Sequence, residues 1–294
     1  MTDAGGAGPD RPAYPLLEAI RTALAGQPDP VRAAAQQAYM KSTLPYLGLT
    51  SPQLRASLRP ILADPALRPT GRAQWEATVR ALWDEASHRE HRYAALALLR
   101  HRRYAAWRGP ALLPLVRHLV TTGAWWDVVD ELATHVLREL LLARPAELDP
   151  VVRAWSRDED LWIRRAAMLA QVGAKERTDP ALLEAVLTPN IGHPDFFSRK
   201  AIGWALRDFA RTDPDWVRAY VGAHPQLSGL SRREALKHLG GASATGASGR
   251  ATADTTADTT ADTTADAPAW RLSRPAWSAV DSSPGADTPA TRAR

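Results

Sequence analysis

Through almost all of residues 14–240, apolar residues recur three and four positions apart, and no stretch alternates apolar with polar residues as a strand would. The segment WWDVVDELATHVLREL (125–140) is typical: Val128, Val129, Leu132, Val136 and Leu140 make one buried stripe along a helix. In FFSRKAIGWALRDFA (196–210) the stripe is Ile202, Leu206 and Phe209. Ser51-Pro52, Asp149-Pro150, Asp179-Pro180 and Asp213-Pro214 predict helix starts. Proline suits the first helical position because its missing N–H would have had no partner there.

The helices repeat. RTDP occurs at 177–180 and again at 211–214, 34 residues on, each time leading into an apolar helix, ALLEAVL or DWVRAYV. Ahead of each lies another helix, LWIRRAAMLAQV (161–172) or FFSRKAIGWALRDFA, and SRREALKHL (231–239) continues the phase. Paired helices at a period in the mid-thirties predict an all-α, right-handed solenoid in which corresponding helices line one concave face. Most such arrays are binding surfaces, so a non-catalytic scaffold is one reading of the architecture.

A few side chains do not fit the stripes. Trp126 and Asp130 form an i,i+4 pair pointing away from the apolar stripe of their helix. Trp204 sits about 200° around its helix from Ile202 and Leu206. Arg165 has Leu161, Trp162, Met168 and Leu169 for neighbours, so a fixed cation stands in apolar company and needs a partner. Asp130 and Arg165 are 35 residues apart, one repeat, and Trp204 lies 39 further on. Stacking predicts that Trp126, Asp130, Arg165 and Trp204 come together. Either the tryptophans pack between layers while Arg165 neutralises Asp130, or the four line an open catalytic cleft. Around them Arg164, Arg199, Lys200, Arg207, Arg232, Arg233 and Lys237 form a basic rim. Indole faces suit the C–H groups of a sugar, a carboxylate stabilises developing positive charge, and a basic rim suits phosphates. That combination fits a sugar passing through an oxocarbenium ion while attached to a nucleic-acid backbone.

Charge and composition narrow this further. The net charge of the 294 residues is +5. From Gly241 onward five arginines face six aspartates, so the basic excess lies in residues 1–240, where it suits a polyanion partner or serves plain solubility. There is no cysteine, which excludes disulfides, thiolate metal sites and a cysteine nucleophile and is compatible with a reducing cytoplasm. No apolar run approaches the roughly 18 residues of a membrane span, and MTDAGGAGPDRPAYP lacks the charged and apolar regions of a signal peptide. A cytoplasmic monomer is expected. His88 and His91, in HREH, lack a third ligand and are expected on a solvated face rather than on a metal. Asp127, three residues before Asp130, is expected to serve the helix dipole rather than to complete an acid/base pair. No phosphate loop or GxSxG is present, and neither metal nor cofactor is implied. Three regions follow: a short start at 1–13, a helical domain at 14–240, and a low-complexity tail at 241–294. The tail repeats ADTT without a hydrophobic period and is expected to be disordered.

YMKSTLPYLGL (39–49), WWDVVDELATHV (125–136), DLWIRRAAMLAQV (160–172) and DFFSRKAIGWALRDFARTDPDWV (195–217) together resemble the bacterial DNA alkylation repair family, the AlkD-like alkylpurine DNA glycosylases built of HEAT-like repeats. The resemblance runs over roughly residues 14–240, in order. It implies hydrolysis of the N-glycosidic bond of positively charged purines, 3-methyladenine and 7-methylguanine, in double-stranded DNA. By the same resemblance, Trp126, Asp130, Arg165 and Trp204 match the residues lining the family's cleft. Tyr39 matches an aromatic of the N-terminal helices, and Lys41 falls beside it among the expected DNA contacts. The ADTT tail has no counterpart in the family's pattern.

Overall fold

Aspartates open many of the helices. In a computed structural model, which describes residues 11–239, the carboxylates of Asp29, Asp160, Asp179, Asp195 and Asp213 each accept a main-chain N–H of the first helical turn that would otherwise lack a partner. Thr50 does the same for the helix at Ser51, reciprocated by Gln53 in a capping box. The described residues are helical and contain no strand. The expectations for the chain's start and for the ADTT segment lie outside them.

The helices fall into two compact units, one up to Trp107 and one from Arg108. The first holds α1 (Tyr14–Ala25), α2 (Pro30–Met40), α3 (Ser51–Ala63), α4 (Arg72–Asp84) and α5 (Arg89–Arg100). Its core gathers Leu16, Ile20, Trp75, Leu82, Trp83 and Leu99, all buried. Buried Glu90 accepts the main-chain N–H groups of Leu47, Gly48 and Leu49 and so fixes the segment between α2 and α3. Gly48 is at φ +85° with Asp29 O close above it, a place only glycine fits.

The second unit holds α6 (Leu113–Gly123), α7 (Trp126–Glu131), a π-helical turn (Leu132–Leu137), α8 (Arg138–Ala143), α9 (Pro145–Trp155), α10 (Leu161–Leu169), α11 (Pro180–Leu187), α12 (Phe196–Phe209), α13 (Pro214–Ala223) and α14 (Gly229–Leu236). α7 packs on α10, α10 on α12 and α12 on α14, while α9 packs on α11. Several hydrogen bonds between these successive layers join residues 34 or 35 apart: Arg138 Nη1 to Val172 O, Asn190 Nδ2 to Ser156 O, Gly173 N to Asp208 Oδ2 and Lys200 Nζ to Glu234 Oε1. The period in the sequence is thus the separation of residues that meet across layers.

Three expectations need correction. Asp149-Pro150 does not start a helix; α9 begins at Pro145 and carries Pro150 inside it. The helix after Trp125 is not regular, because a π turn begins at Leu132, two residues after Asp130. The valines and leucines of its stripe are nonetheless buried. His91 is not on a solvated face but 6 % exposed, and Ser87 N donates to its Nδ1.

Burial, helped by His88 and Arg21, lowers the His91 pKa to about 4 from the ordinary 6.5. The fold therefore accepts the neutral ring. Above pH 6.5 both folded and unfolded forms are neutral and the effect vanishes. Below it the unfolded chain takes up a proton that the folded chain refuses, and stability is lost as pH falls from about 6.5 toward about 4. Thermal unfolding of His91→Gln across this range should lose less stability than the wild type, and equal losses would show that His91 does not carry the effect.

Candidate functional site

α7 begins at Trp126, with Trp125 as its extended N-cap residue and Asp127 in its first turn. Asp130 lies just past that turn and is 6 % exposed. Arg165, in the middle of α10, is 4 % exposed and faces it. Its Nε and Nη2 donate to the two oxygens of Asp130 at 2.7 and 2.8 Å. Its Nη1 donates to Phe197 O in the first turn of α12 at 2.6 Å. One guanidinium thereby ties three successive layers, with the forked geometry that only arginine offers.

Burial pushes the Asp130 carboxyl above the ordinary carboxylate range. The charge and hydrogen bonds of Arg165 oppose the rise, and Asp127, also buried, adds to it. Behind Asp130 the helix widens into the π turn, where Thr134 Oγ1 donates back to Asp130 O at 2.8 Å. π turns inside helices are frequent at functional sites.

Trp126 and Trp204 are each half-buried, at the start of α7 and in the middle of α12. Among the described residues neither indole has a ring or hydrogen-bond partner. A second aromatic group, which the helical stripes did not single out, stands at the N-terminal ends of the stacked helices. The Trp125, Trp162 and Phe197 rings lie 5.1 to 5.9 Å apart, and the Arg165 guanidinium is 5.8 Å from the Phe197 ring. The 35-residue spacing of Trp162 and Phe197 was its signal in the sequence. Phe196, beside it, is 50 % exposed.

The basic rim is less uniform than its spacing implied. Arg164 donates to Asp158 O and Glu159 O and meets His193 Nε2 at 2.9 Å. Arg232 donates to the carbonyls of Val221 and His224. These two guanidiniums hold the main chain. Lys200 and Arg207 share Glu234. Arg199 is half-buried, while Arg233 and Lys237 are exposed. Tyr39 and Lys41 belong to the first unit, both exposed, Tyr39 in the last turn of α2 and Lys41 its left-handed cap. No cluster of three or more histidines, aspartates or glutamates fit to hold a metal occurs among the described residues. No helix there is long and apolar enough to cross a membrane.

The chain thus presents a buried carboxylate fixed by a buried arginine, with two half-buried indoles on the same stacked helices. The model of the DNA alkylation repair enzyme family matches residues 20–239, and the chain belongs to that family. Among solved structures it is similar to a predicted DNA alkylation repair enzyme from Enterococcus faecalis. The two share 28 % identity and a TM-score of 0.66, over 74 % of this chain and 98 % of that one. No curated protein matches the chain.

Removing one member of a buried ion pair strands the other. Arg165→Met should lower unfolding free energy by about 3–5 kcal/mol in chemical denaturation. Adding Asp130→Asn should cost far less than its effect alone, since the stranded charge disappears. Additive losses would mean that the two side chains are not coupled.

Proposed function

We propose that this member of the DNA alkylation repair enzyme family is a DNA glycosylase that hydrolyses the N-glycosidic bond of positively charged alkylpurines, 3-methyladenine and 7-methylguanine, in duplex DNA. In this reading the second unit is a right-handed solenoid of HEAT-like repeats whose concave face takes the duplex. The observation that carries this reading is the buried Asp130 carboxylate, held at both oxygens by Arg165. The family membership supports it.

An alkylated purine already carries positive charge, so when the C1′–N bond breaks its electron pair neutralises the leaving base. No general acid is required, unlike ordinary glycoside hydrolysis with its two carboxylates. The sugar is left as an oxocarbenium-like cation. Asp130 stabilises that cation and accepts a proton from the water that adds to C1′. Its raised pKa suits the second role, because a carboxylate that binds protons more tightly is the stronger base. Arg165 positions Asp130 rather than a phosphate, since three of its nitrogens are already engaged. Trp126 and Trp204 pack against sugar and backbone. Glycosylases generally extrude the base into a pocket; here contacts to sugar and backbone are taken to suffice, with the lesion left stacked.

The rival is a non-catalytic HEAT-like scaffold for DNA or protein, in which Asp130–Arg165 only ties layers together; the further Arg165 bond to Phe197 O, which serves the packing of α10 on α12, favours it. Base release separates the two. Purified protein incubated with alkylated duplex should liberate free 7-methylguanine and 3-methyladenine, detected by chromatography, well above spontaneous loss. If no base appears beyond the uncatalysed background, the scaffold reading holds.

A further inference from the structure

Glu234 reaches from α14 to α12 and takes two cations at once. One oxygen accepts from Lys200 Nζ at 2.8 Å and the other from Arg207 Nη1. Lys200 and Arg207 are seven residues apart, so they lie two turns apart on nearly one line, about 20° from each other around α12. Trp204 sits between them in height and about 40–60° to one side. Gly203 lies on the other side, and a Cβ there would stand 2.5 Å from Glu234 Cβ and 3.1 Å from Ser231 O. The missing side chain at Gly203 lets α14 come close enough for one glutamate to span both cations.

The glutamate does not exhaust its partners. Each cation gives it one donor, whereas an ammonium has three N–H bonds and a guanidinium five. Among the described residues Glu234 is the sole acceptor for both. Lys200 is also held 6.0 Å over the Phe196 ring. Burial works against the charge of Glu234, but the Lys200 hydrogen bond and the charges of Lys200, Arg207 and Lys237 hold its carboxyl below the ordinary range, so it stays ionised. Two cations and one carboxylate leave net positive charge, with the mutual repulsion of the cations relieved. Without Glu234, two long side chains repel and must be ordered when an anion arrives, at an entropic cost.

We infer that Glu234 is a positioning residue that gathers Lys200 and Arg207 into one anion site, which takes a single backbone phosphate of duplex DNA beside Trp204. This rests on the proposed function insofar as the anion is DNA. The opposite role, a glutamate that masks the two cations, makes opposite predictions.

Binding of the full chain to an undamaged fluorescent duplex, measured by anisotropy across a salt series, tests it. Glu234→Gln removes a negative charge yet should weaken binding about tenfold, the size of one charge-assisted hydrogen bond. The slope of log K against log salt should become shallower by about 0.9, one phosphate's worth. Lys200→Met, Arg207→Met and their double variant should each lose that same single phosphate, and Glu234→Gln should weaken the double variant no further. Tighter binding by Glu234→Gln, or a double-variant slope shallower by about 1.8, the value for two separate phosphates, overturns the site while leaving the glycosylase reading intact. An unchanged loss from Glu234→Gln in the double variant does the same, because it would act through the fold instead. Should the wild type itself fail to bind duplex at low salt, the proposed function and the site fall together.

Discussion

The Arg165 guanidinium is buried, and a buried guanidinium is tolerable only when its donors are used. Much of the second unit can be read from how that demand is met. Two nitrogens go to Asp130 on α7 and one to the carbonyl of Phe197 on α12, so the position of each layer is felt by the next. The aromatic rings of Trp125, Trp162 and Phe197 then close over one end of the same helices. A buried ion pair contributes little net stability compared with an apolar replacement.

Stacking at one repeat supplies the rest of the geometry. Residues 34 or 35 apart meet across layers, as Arg138 with Val172, Gly173 with Asp208 and Lys200 with Glu234 do. Chemistry carried by one helix is therefore answered by a residue one repeat away. Gly203 shows the steric side of this constraint, since α14 would not sit where it does against any larger residue.

The helical stripes and the repeat were legible because burial leaves a periodic trace. The meeting of Asp130 with Arg165 was legible because 35 residues is one repeat and a cation among Leu161, Trp162, Met168 and Leu169 demands a partner. What stayed hidden has a common cause. The π turn after Asp130 leaves no mark in composition. Pro150 looked like a helix start, yet α9 had already begun at Pro145. His91 looked solvated because its burial comes from elements distant in sequence. The basic rim was legible as a set of positions, but not that Arg164 and Arg232 hold carbonyls while Glu234 gathers Lys200 and Arg207, because such partners follow from folded geometry rather than from spacing along one helix.

The central claim is that Asp130 acts only as positive charge develops on the sugar, and single-turnover release of 7-methylguanine by Asp130→Asn tests it most directly. The substitution keeps volume and part of the hydrogen bonding to Arg165 while removing the charge. The account predicts a fall of roughly 100-fold or more in rate, the loss typical of one preorganised electrostatic group, with duplex affinity level or slightly higher. Asp127→Asn should do much less. A wild-type enzyme that releases base no faster than Asp130→Asn would contradict the account.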